Sequence, residues 1–325
     1  MISVKNLTKI YYVPKKEKGW VGLWKNIIQR QYKKIIGLNK VSFKIGKGEL
    51  VGLIGPNGAG KTSAMKVLSG ILYPTSGEIS VLGFAPFAKK AEFLKQIVFL
   101  MGQRNQLLWD LPAYDSFLLN KEIYEIEDQQ FKETLGKLTS LLDCQDIINQ
   151  PVKTLSLGER MKMELIASLL HQPKVLFLDE PTIGLDLVAQ KTIRDFIKDY
   201  QRIYQATIIL TSHHMEDVRQ LAKRVMIIDE GKIIYDGLLE EIVKKYAKEK
   251  IITVILENTV DLKELAKIGD IYNISFPMVV FKVVRERLAK KVELISRRLP
   301  FIDITIEEEK IEDVIRKIFK NKNTS

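Results

Sequence analysis

The sequence predicts an α/β fold in which buried parallel strands carry a phosphate-binding loop at one edge of a sheet. Residues 49–54 (ELVGLI) are a short apolar run, and the glycine-rich residues 55–62 (GPNGAGKT) separate this run from a helix start. Residues 174–178 and 206–210 are continuous apolar runs, which are typical of strands buried on both faces. Strand-like and helix-like runs alternate over about residues 1–240, as they do in α/β domains.

The glycine-rich turn fits the pattern Gly-x-x-x-x-Gly-Lys-Ser/Thr. In that pattern backbone N–H groups surround phosphate oxygens, the lysine contacts the β- and γ-phosphates, and the hydroxyl ligates magnesium. The helix that follows presents its positive end to the phosphates. The sequence therefore predicts a nucleotide site. Its residues are Gly55, Pro56, Asn57, Gly58, Ala59, Gly60, Lys61, Thr62 and Ser63.

Length and composition limit the class of protein. A chain of 325 residues with 46% hydrophobic residues has room for one large domain or two modest ones, each with a core. No apolar stretch approaches the roughly 20 residues needed to cross a bilayer, and MISVKNLTK lacks a signal peptide's apolar segment. We therefore expect a soluble, cytosolic protein. The single cysteine, Cys144, excludes an internal disulfide and a cysteine metal cluster.

Positive charge is concentrated in residues 14–36, which we term the basic insertion. The whole chain has a formal net charge of +11, and the basic insertion holds seven Lys or Arg residues against one acidic residue. Apolar residues recur there at helical spacing, which predicts a basic amphipathic helix. Such a helix suits a membrane surface or a partner's groove, or it packs on its own domain. Nucleic acid is a third alternative, but no aromatic–basic platform occurs elsewhere, so we expect no nucleic-acid partner.

The remaining segments complete the predicted organisation. Residues 224–228 and 232–235 flank Asp-Glu-Gly and predict a hairpin. About residues 91–170 are predicted to form a helical subdomain, with helices over 121–142 and 158–170.

Residues 241–325 are predicted to form a small α+β appendage after a first domain that spans residues 1–240. Its predicted elements are strands over 251–256, 278–284 and 301–306 and helices over 288–298 and 311–319. No catalytic motif is visible in it.

Polar residues follow two of the buried strands. Asp179 and Glu180 come directly after residues 174–178, and Ser212 and His213 come after residues 206–210. Ligands of open α/β sheets bind beyond the carboxyl ends of the strands, at the same edge as the phosphate loop. We expect Asp179 to hold magnesium, directly or through water, and Glu180 to polarise the attacking water as general base.

The phosphate loop and these polar residues follow one another in an order that resembles the ATP-binding subunit of an ABC transporter. The resemblance covers residues 3–240. The resemblance implies that residues 55–62 are Walker A and residues 175–180 are Walker B. It also implies that Gln103 is the Q-loop glutamine, which reaches the metal and the attacking water. His213, in TSHHMED, matches the switch histidine that contacts the γ-phosphate, with His214 as the alternative.

Residues 155–159 (LSLGE) resemble the ABC signature LSGGQ. Leu157 replaces a glycine and Glu159 replaces the glutamine, while Ser156 and Gly158 keep the hydroxyl and the amide. In the family these two groups bind the γ-phosphate of ATP held by the opposite subunit, which implies a second copy of this chain as partner. We expect the Glu159 carboxylate to point away from that phosphate.

Two further site residues come from the resemblance alone. Asp186 resembles the D-loop aspartate, which couples the two sites across the dimer. Tyr11 resembles the A-loop aromatic that stacks on adenine, and the neighbouring Tyr12 is the alternative.

The segment PTSG (residues 74–77), LDEPTIGLD (178–186) and the C-terminal extension are similar to ABC-2-type exporter ATPases, including viologen- or multidrug-exporter-like ones. The implied fold is a P-loop nucleotide-binding domain with a RecA-like core, an antiparallel β part and a helical subdomain. The implied function is hydrolysis of ATP with Mg²⁺, coupled to solute export through separate ABC-2-type permeases. The implied location is the cytoplasmic face of the cell membrane. Residues 107–115 are the expected permease contact, although Trp109 in this segment could instead be a core residue.

Two other classes of function compete with this interpretation. One is an ABC-type ATPase that acts in assembly, on DNA or on ribosomes; no long coiled coil or second nucleotide domain, typical of some such proteins, is visible. The other is a regulatory module that binds ATP with little turnover, which the presence of Glu180 disfavours.

Overall fold

The computed structural model describes residues 1–14, 32–102, 105–309, 313–315 and 317. The chain divides into two compact units, Met1–Gly237 and Leu238–Ser325. Each unit builds its own sheets and core.

The first unit contains a six-stranded sheet with the order β5-β6-β7-β3-β8-β9. Its strands are β3 (Leu50–Ile54), β5 (Ile97–Met101), β6 (Val175–Asp179), β7 (Thr207–Thr211), β8 (Arg224–Asp229) and β9 (Lys232–Leu238). The pairs β5–β6, β6–β7, β7–β3 and β3–β8 are parallel. The carboxyl ends of these strands therefore lie along one edge, where the sequence predicted the site.

Both faces of this sheet are buried at β6, which explains the continuous apolar run of that strand. Leu176 and Leu178 of β6 belong to a core shared with the helices on one face. Val175 and Phe177 belong to a second core, shared with a small antiparallel sheet on the other face. A strand with a core on either side needs apolar residues at every position.

That antiparallel sheet has the order β2-β1-β4. Its strands are β1 (Ile2–Pro14), β2 (Tyr32–Ile45) and β4 (Ser76–Val81). Pairing of β1 with β2 continues to Pro14 opposite Tyr32, whereas the pairing of β1 with β4 reaches only Thr8. The two-stranded part beyond Thr8 is termed the ribbon.

The ribbon corrects one prediction. The basic insertion was predicted as a helix, but its two ends, at Pro14 and at residues 32–36, are strand residues paired with each other. Pairing with β1 makes these residues a strand. The helical spacing of apolar side chains in the sequence gives no information about a pairing strand. The remaining residues of the insertion, 15–31, lie outside the described residues.

Helices connect the strands of the first unit. They are α1 (Lys61–Leu68), α2 (Ala91–Leu94), α3 (Ala113–Tyr124), α4 (Asp128–Leu142), α5 (Leu157–Leu169), α6 (Leu187–Tyr204) and α7 (Met215–Leu221). Short 3₁₀ turns occupy Pro86–Ala88, Gln145–Ile147 and Val152–Thr154.

The single helix predicted over residues 121–142 is wrong. It is two helices, because Glu125 caps α3 with a left-handed φ of 54° and the chain turns before α4 begins. Left-handed caps favour glycine or asparagine, so a glutamate gives no signal in the sequence.

The second unit follows the chain order strand-helix-strand-strand-helix-strand after α8 (Leu239–Tyr246). Its elements are β10 (Glu249–Leu256), α9 (Leu262–Ile268), β11 (Ile271–Ser275), β12 (Met278–Val284), a 3₁₀ turn (Arg285–Arg287), α10 (Leu288–Arg298) and β13 (Phe301–Glu308). The antiparallel order β11-β12-β10-β13 gives a ferredoxin-like split β-α-β fold. Residues 313–315 and 317, within the helix predicted over 311–319, are helical, and the rest of that helix lies outside the described residues.

Candidate functional site

The phosphate loop is fixed between the two sheets of the first unit. A Cβ on Gly55 would lie 2.2 Å from the carbonyl oxygen of Ile228 in β8, and one on Gly60 would lie 2.3 Å from the carbonyl oxygen of Gly37 in β2. Gly60 also has a φ of 110°, which L side chains rarely adopt. Between these points Ala59 is buried, whereas the exposed residues of the loop are Pro56, Asn57 and Gly58. The loop therefore presents its backbone outward from a rigid base.

Lys61 is the first residue of α1 and is only 6% exposed. Its Nζ donates to the carbonyl oxygens of Gly55 at 2.6 Å and Pro56 at 3.1 Å. Burial lowers the pKa of Lys61, and the nearby carboxylates of Glu180 and Asp179 partly oppose that effect. The ammonium lies inside the loop, where it can reach a bound phosphate.

Asp179, at the end of β6, joins three elements. Its Oδ2 accepts a hydrogen bond from Thr62 Oγ1 at 2.9 Å, and its Oδ1 accepts one from Thr211 Oγ1 at 2.6 Å. Asp179 and Thr211 are register partners in neighbouring parallel strands. Two hydroxyls and a carboxylate thus converge at the carboxyl edge of the sheet.

Glu180 and His213 are in direct contact. Glu180 Oε1 lies 2.7 Å from His213 Nε2, and the two side chains are 18% and 42% exposed. Glu180 has a φ of 56°, which is uncommon for a residue with a side chain and costs about 1–2 kcal/mol. Its backbone N–H donates to the carbonyl oxygen of Thr211 at 3.1 Å, which holds it in this conformation. His214 has a different contact: its backbone N–H donates to Ser212 Oγ at 3.0 Å.

Gln103 lies outside the described residues. The preceding Gly102 is described, and its N–H donates to the carbonyl oxygen of Asp179 at 3.0 Å. A Cβ on Gly102 would lie 2.1 Å from the carbonyl oxygen of Glu180. The chain therefore passes the Asp179–Glu180 pair immediately before Gln103.

Tyr11 lies beside the phosphate loop, and Tyr12 does not contact it among the described residues. The Tyr11 hydroxyl is 2.8 Å from Ser63 Oγ, and the Tyr11 ring covers Gly37. Tyr12 is the next residue of the same strand, so its side chain leaves from the opposite face and is exposed. Of the two, the geometry favours Tyr11 as the aromatic residue of the site.

Ser156 and Glu159 form a capping box at the start of α5. Ser156 Oγ accepts from the Glu159 N–H at 3.3 Å, and Glu159 Oε2 accepts from the Ser156 N–H at 2.9 Å. Hydrogen bonds from the Ser156 side chain and from the Ser156 backbone N–H to the carboxylate lower the pKa of Glu159. The Glu159 carboxylate is thus turned back onto the helix start.

Asp186 caps the next helix of this region, α6, by accepting from the N–H groups of Val188 and Ala189 at 2.9 Å each. Gly158 lies against the same helix, since a Cβ on Gly158 would be 3.0 Å from that of Ala189. Among the described residues, no hydrogen bond or salt bridge joins Ser156 or Asp186 to the phosphate loop. Within one chain, the predicted residues therefore form two groups: one around the phosphate loop, and one around Ser156 and Asp186.

Comparison with known proteins assigns the family. The family described as ABC transporter matches residues 38–183. The ABC transporter ATP-binding protein NatA of Bacillus subtilis is 33% identical over 221 residues, which are 68% of this chain and 89% of NatA. The chain belongs to the ABC transporter ATP-binding proteins.

One further relative agrees with this family assignment, and two solved structures agree with the fold. The daunorubicin resistance ATP-binding protein DrrA3 of Streptomyces coeruleorubidus is 30% identical over 70% of this chain and 72% of its own length. A solved ATP-binding subunit of an ABC transporter has a TM-score of 0.62 and 22% identity, and covers 75% of this chain and 92% of that chain. A dimeric ATP-binding cassette bound to ADP and Pi has a TM-score of 0.60, 21% identity and coverage of 73% and 98%.

The predicted family, fold class and enzyme class are confirmed: this ABC ATP-binding protein is an ATPase of the P-loop α/β class. One residue that contacts the candidate site was missed. Thr211 is the last residue of an apolar strand and gave no signal in the sequence, because its role depends on register with β6.

The neighbouring histidines of this ABC ATP-binding protein can be tested separately. We expect His213→Ala to lower kcat for ATP hydrolysis by about 10²-fold, because His213 is the one of these two described histidines whose side chain contacts Glu180. His214→Ala is the matched control and should change kcat by less than about twofold, because the described hydrogen bond of His214 comes from its backbone. Steady-state ATPase assays decide between them, and a loss confined to His214→Ala would reverse the assignment.

Proposed function

We propose that this chain drives solute export by binding and hydrolysing ATP with Mg²⁺ between two copies, coupled to separate ABC-2-type permeases. The observation that carries the proposal is the contact of Glu180 with His213 at 2.7 Å, directly beyond the Asp179–Thr62 pair. A carboxylate at this position next to an imidazole is suited to polarising a water.

The residues present fit ATP and Mg²⁺. Lys61 and the N–H groups of the exposed loop would hold the β- and γ-phosphates, and stacking on Tyr11 would hold adenine. Mg²⁺ prefers hard oxygen ligands, and Thr62 Oγ1 and Asp179 Oδ2 are two such atoms, 2.9 Å apart. Gln103 is the third assigned ligand. When bound, the ion would neutralise phosphate charge.

Glu180 and His213 have different roles: Glu180 accepts a proton, and His213 orients the Glu180 carboxylate. Glu180 accepts the proton of the attacking water, and its contact with His213 fixes the direction of the carboxylate. By the resemblance, His213 would also contact the γ-phosphate, and its contact with Glu180 would couple the position of that carboxylate to the bound phosphate. Lys61 neutralises charge on the transferred group without itself giving up a proton.

The second copy supplies the other half of each site. The Ser156 hydroxyl, the Gly158 amide and the positive end of α5 are grouped at the start of one helix, which suits a phosphate held by the partner. Asp186 lies at the start of α6, against which Gly158 packs. We propose that ATP closes the two copies and that hydrolysis allows them to separate, because ATP binds the closed state more tightly.

The permease contact is proposed at residues 107–115. Leu108, Trp109 and Leu111 are exposed, with Trp109 46% accessible, so Trp109 is not a core residue. An exposed apolar group of this kind marks a protein contact. Buried Glu164 of α5 accepts from the N–H of Gln106 at 2.8 Å, so the residue directly before this segment is bonded to the helix that begins after Ser156. Movement at the permease can thereby reach the signature residues.

Export is inferred from the resemblance and from the names of relatives. The linearmycin resistance ATP-binding protein LnrL of Bacillus subtilis is 28% identical over 75% of this chain and 79% of its own length. Resistance proteins of this kind support a transport role over an assembly, DNA or ribosome role. Among the described residues, no helix combines the length and the apolar character that crossing a membrane requires. We propose a peripheral location on the cytoplasmic face, through the permeases.

Removal of Mg²⁺ tests the hydrolytic part of the proposal. Chelation with EDTA should reduce ATP hydrolysis by at least about 10²-fold, since the ion supplies several kcal/mol of charge stabilisation. Thr62→Val should raise the Mg²⁺ concentration needed for half-maximal rate. Thr192→Val removes a hydroxyl of α6 that donates to the Val188 carbonyl and should leave that concentration unchanged. Hydrolysis that persists without divalent cations would refute the proposed site.

The basic insertion is proposed to contact the membrane or the permease. Pro14 and Tyr32 are register partners, so an Asn-Gly turn can replace residues 15–31 and close the ribbon as a hairpin. We expect this variant to sediment with permease-containing membranes several-fold less, because most of the local positive charge is lost. Dimerisation with ATP should be retained.

The control for the basic insertion is Lys263→Glu/Lys290→Glu, which changes exposed charge in the second unit and should leave membrane association unchanged. A shortened variant that still sediments completely would exclude this role for the insertion.

A further inference from the structure

Asp217 is a buried carboxylate close to the Glu180–His213 pair but not part of it. It lies in the first turn of α7 and is 1% exposed. Its Oδ2 accepts hydrogen bonds from Thr182 Oγ1 at 2.5 Å and from Ser212 Oγ at 2.7 Å. Its Oδ1 accepts one from Arg194 Nη1 of α6 at 2.8 Å. One side chain therefore joins three separate segments.

Two of these segments carry the catalytic pair. Thr182 follows Glu180 by two residues, and Ser212 immediately precedes His213. Both hydroxyls donate to the same oxygen of Asp217, so this one atom holds the two loops together. Ser212 also accepts the N–H of His214, which leaves its own proton for Asp217. The distance between Glu180 and His213 is thus constrained on both sides.

Arg194 makes this arrangement possible. A carboxylate buried alone is costly, and a buried cation at hydrogen-bond distance offsets that cost. Arg194 is itself 8% exposed, and its Nε donates to Gln220 Oε1 at 3.2 Å. The guanidinium therefore fixes the Asp217 carboxylate, and Asp217 Oδ2 remains directed at the two hydroxyls.

We propose that Asp217 is a positioning residue for ATP hydrolysis: its Oδ2 fastens the Thr182 and Ser212 hydroxyls and so keeps Glu180 and His213 in contact. This role rests on the proposed function of the Glu180–His213 pair. Asp217 acts through these two loops and does not touch the nucleotide. Loss of the clamp should lower kcat without a comparable change in KM for ATP.

A pair of double variants separates positioning from stability. Arg194→Met/Asp217→Asn and Arg194→Met/Asp217→Leu both remove the two buried charges together. The asparagine can still accept from one hydroxyl and donate to the oxygen of the other, whereas the leucine can do neither. The two proteins are thereby matched in charge and similar in volume, and they differ in the clamp.

The expected result is a difference in kcat. The asparagine variant should keep ATP hydrolysis within about threefold of the unmodified chain, and the leucine variant should lose about 10- to 100-fold, because small misplacements of catalytic groups carry losses of this size. KM for ATP should stay within about threefold in both. Equal kcat values for the two variants would overturn the proposal.

A further variant keeps the test decisive if the leucine protein does not fold. Thr182→Val/Ser212→Ala removes both donors and leaves the Arg194–Asp217 ion pair in place. It should show the same loss of kcat, and an unchanged kcat would also overturn the clamp. A parallel assay of Glu180→Gln distinguishes a failure of the clamp from a failure of the proposed function. If Glu180→Gln hydrolyses ATP normally, the proposed function fails; if only Glu180→Gln is impaired, the clamp alone fails.

Discussion

Replacing Glu180 with glutamine is expected to lower ATP hydrolysis by about 10²- to 10⁴-fold while ATP still binds. Glutamine preserves the size of the side chain and can still hydrogen-bond to His213, but it cannot accept the proton of the attacking water. Lys61, Thr62 and Asp179 are untouched, so affinity for ATP should change little. Because ATP still binds and hydrolysis is blocked, the protein should accumulate as an ATP-bound closed dimer.

Two measurements check this expectation. Steady-state turnover gives the loss of kcat, and size-exclusion chromatography at saturating ATP gives the oligomeric state. The matched control is Glu216→Gln, which neutralises a carboxylate three residues beyond His213 that is paired with Arg219 at the surface. It should hydrolyse ATP at the unmodified rate, since surface ion pairs contribute little. A Glu180→Gln protein that stays monomeric at saturating ATP would argue strongly against the split site.

Replacing Lys61 with alanine is expected to weaken ATP binding by at least about 30-fold, because removing one partner of a buried charge contact costs about 2–5 kcal/mol. The fold should survive this change. Burial lowers the pKa of Lys61, which means that the free protein already holds this cation at a cost. The variant gives up two hydrogen bonds to loop carbonyls but also removes that cost.

Calorimetric titration with ATP measures this effect directly. Lys66→Ala is the matched control, because Lys66 lies in the last turn of the same helix, away from the loop. We expect its affinity to equal that of the unmodified chain. An unchanged dissociation constant for Lys61→Ala would remove the basis for placing phosphates in this loop.

Much of the first unit could be predicted because its signals are local. An apolar run, a glycine-rich turn and a helix start are contiguous, so β3 and α1 follow from residues 49–69. The Glu230–Gly231 turn is equally local, since both residues adopt positive φ between β8 and β9. These predictions needed no knowledge of which strand pairs with which.

What the sequence could not provide is non-local pairing. Thr211 reaches Asp179 because β6 and β7 are neighbours in register. The order of strands in the sheet differs from their order in the chain, since β3 lies between β7 and β8. Asp217 meets Thr182 across 35 residues of chain. The same limit applies to residues 32–36, where pairing with β1 overrides an apolar spacing that suggested a helix. Individual residue types were visible in the sequence, but their partners depended on topology.

The fixed base of the phosphate loop affects how mutational scans of this region should be interpreted. Gly55 abuts a carbonyl of one sheet, and Gly60 abuts a carbonyl of the other, so a methyl group at either glycine collides with backbone atoms. Loss of activity at these glycines would report failed assembly of two sheets as much as failed recognition of a ligand. Gly58 differs, since a Cβ there meets no atom within 4 Å, although its φ of 79° still strains a larger residue. Among the loop positions, side-chain changes at Lys61 give the cleanest measure of nucleotide recognition.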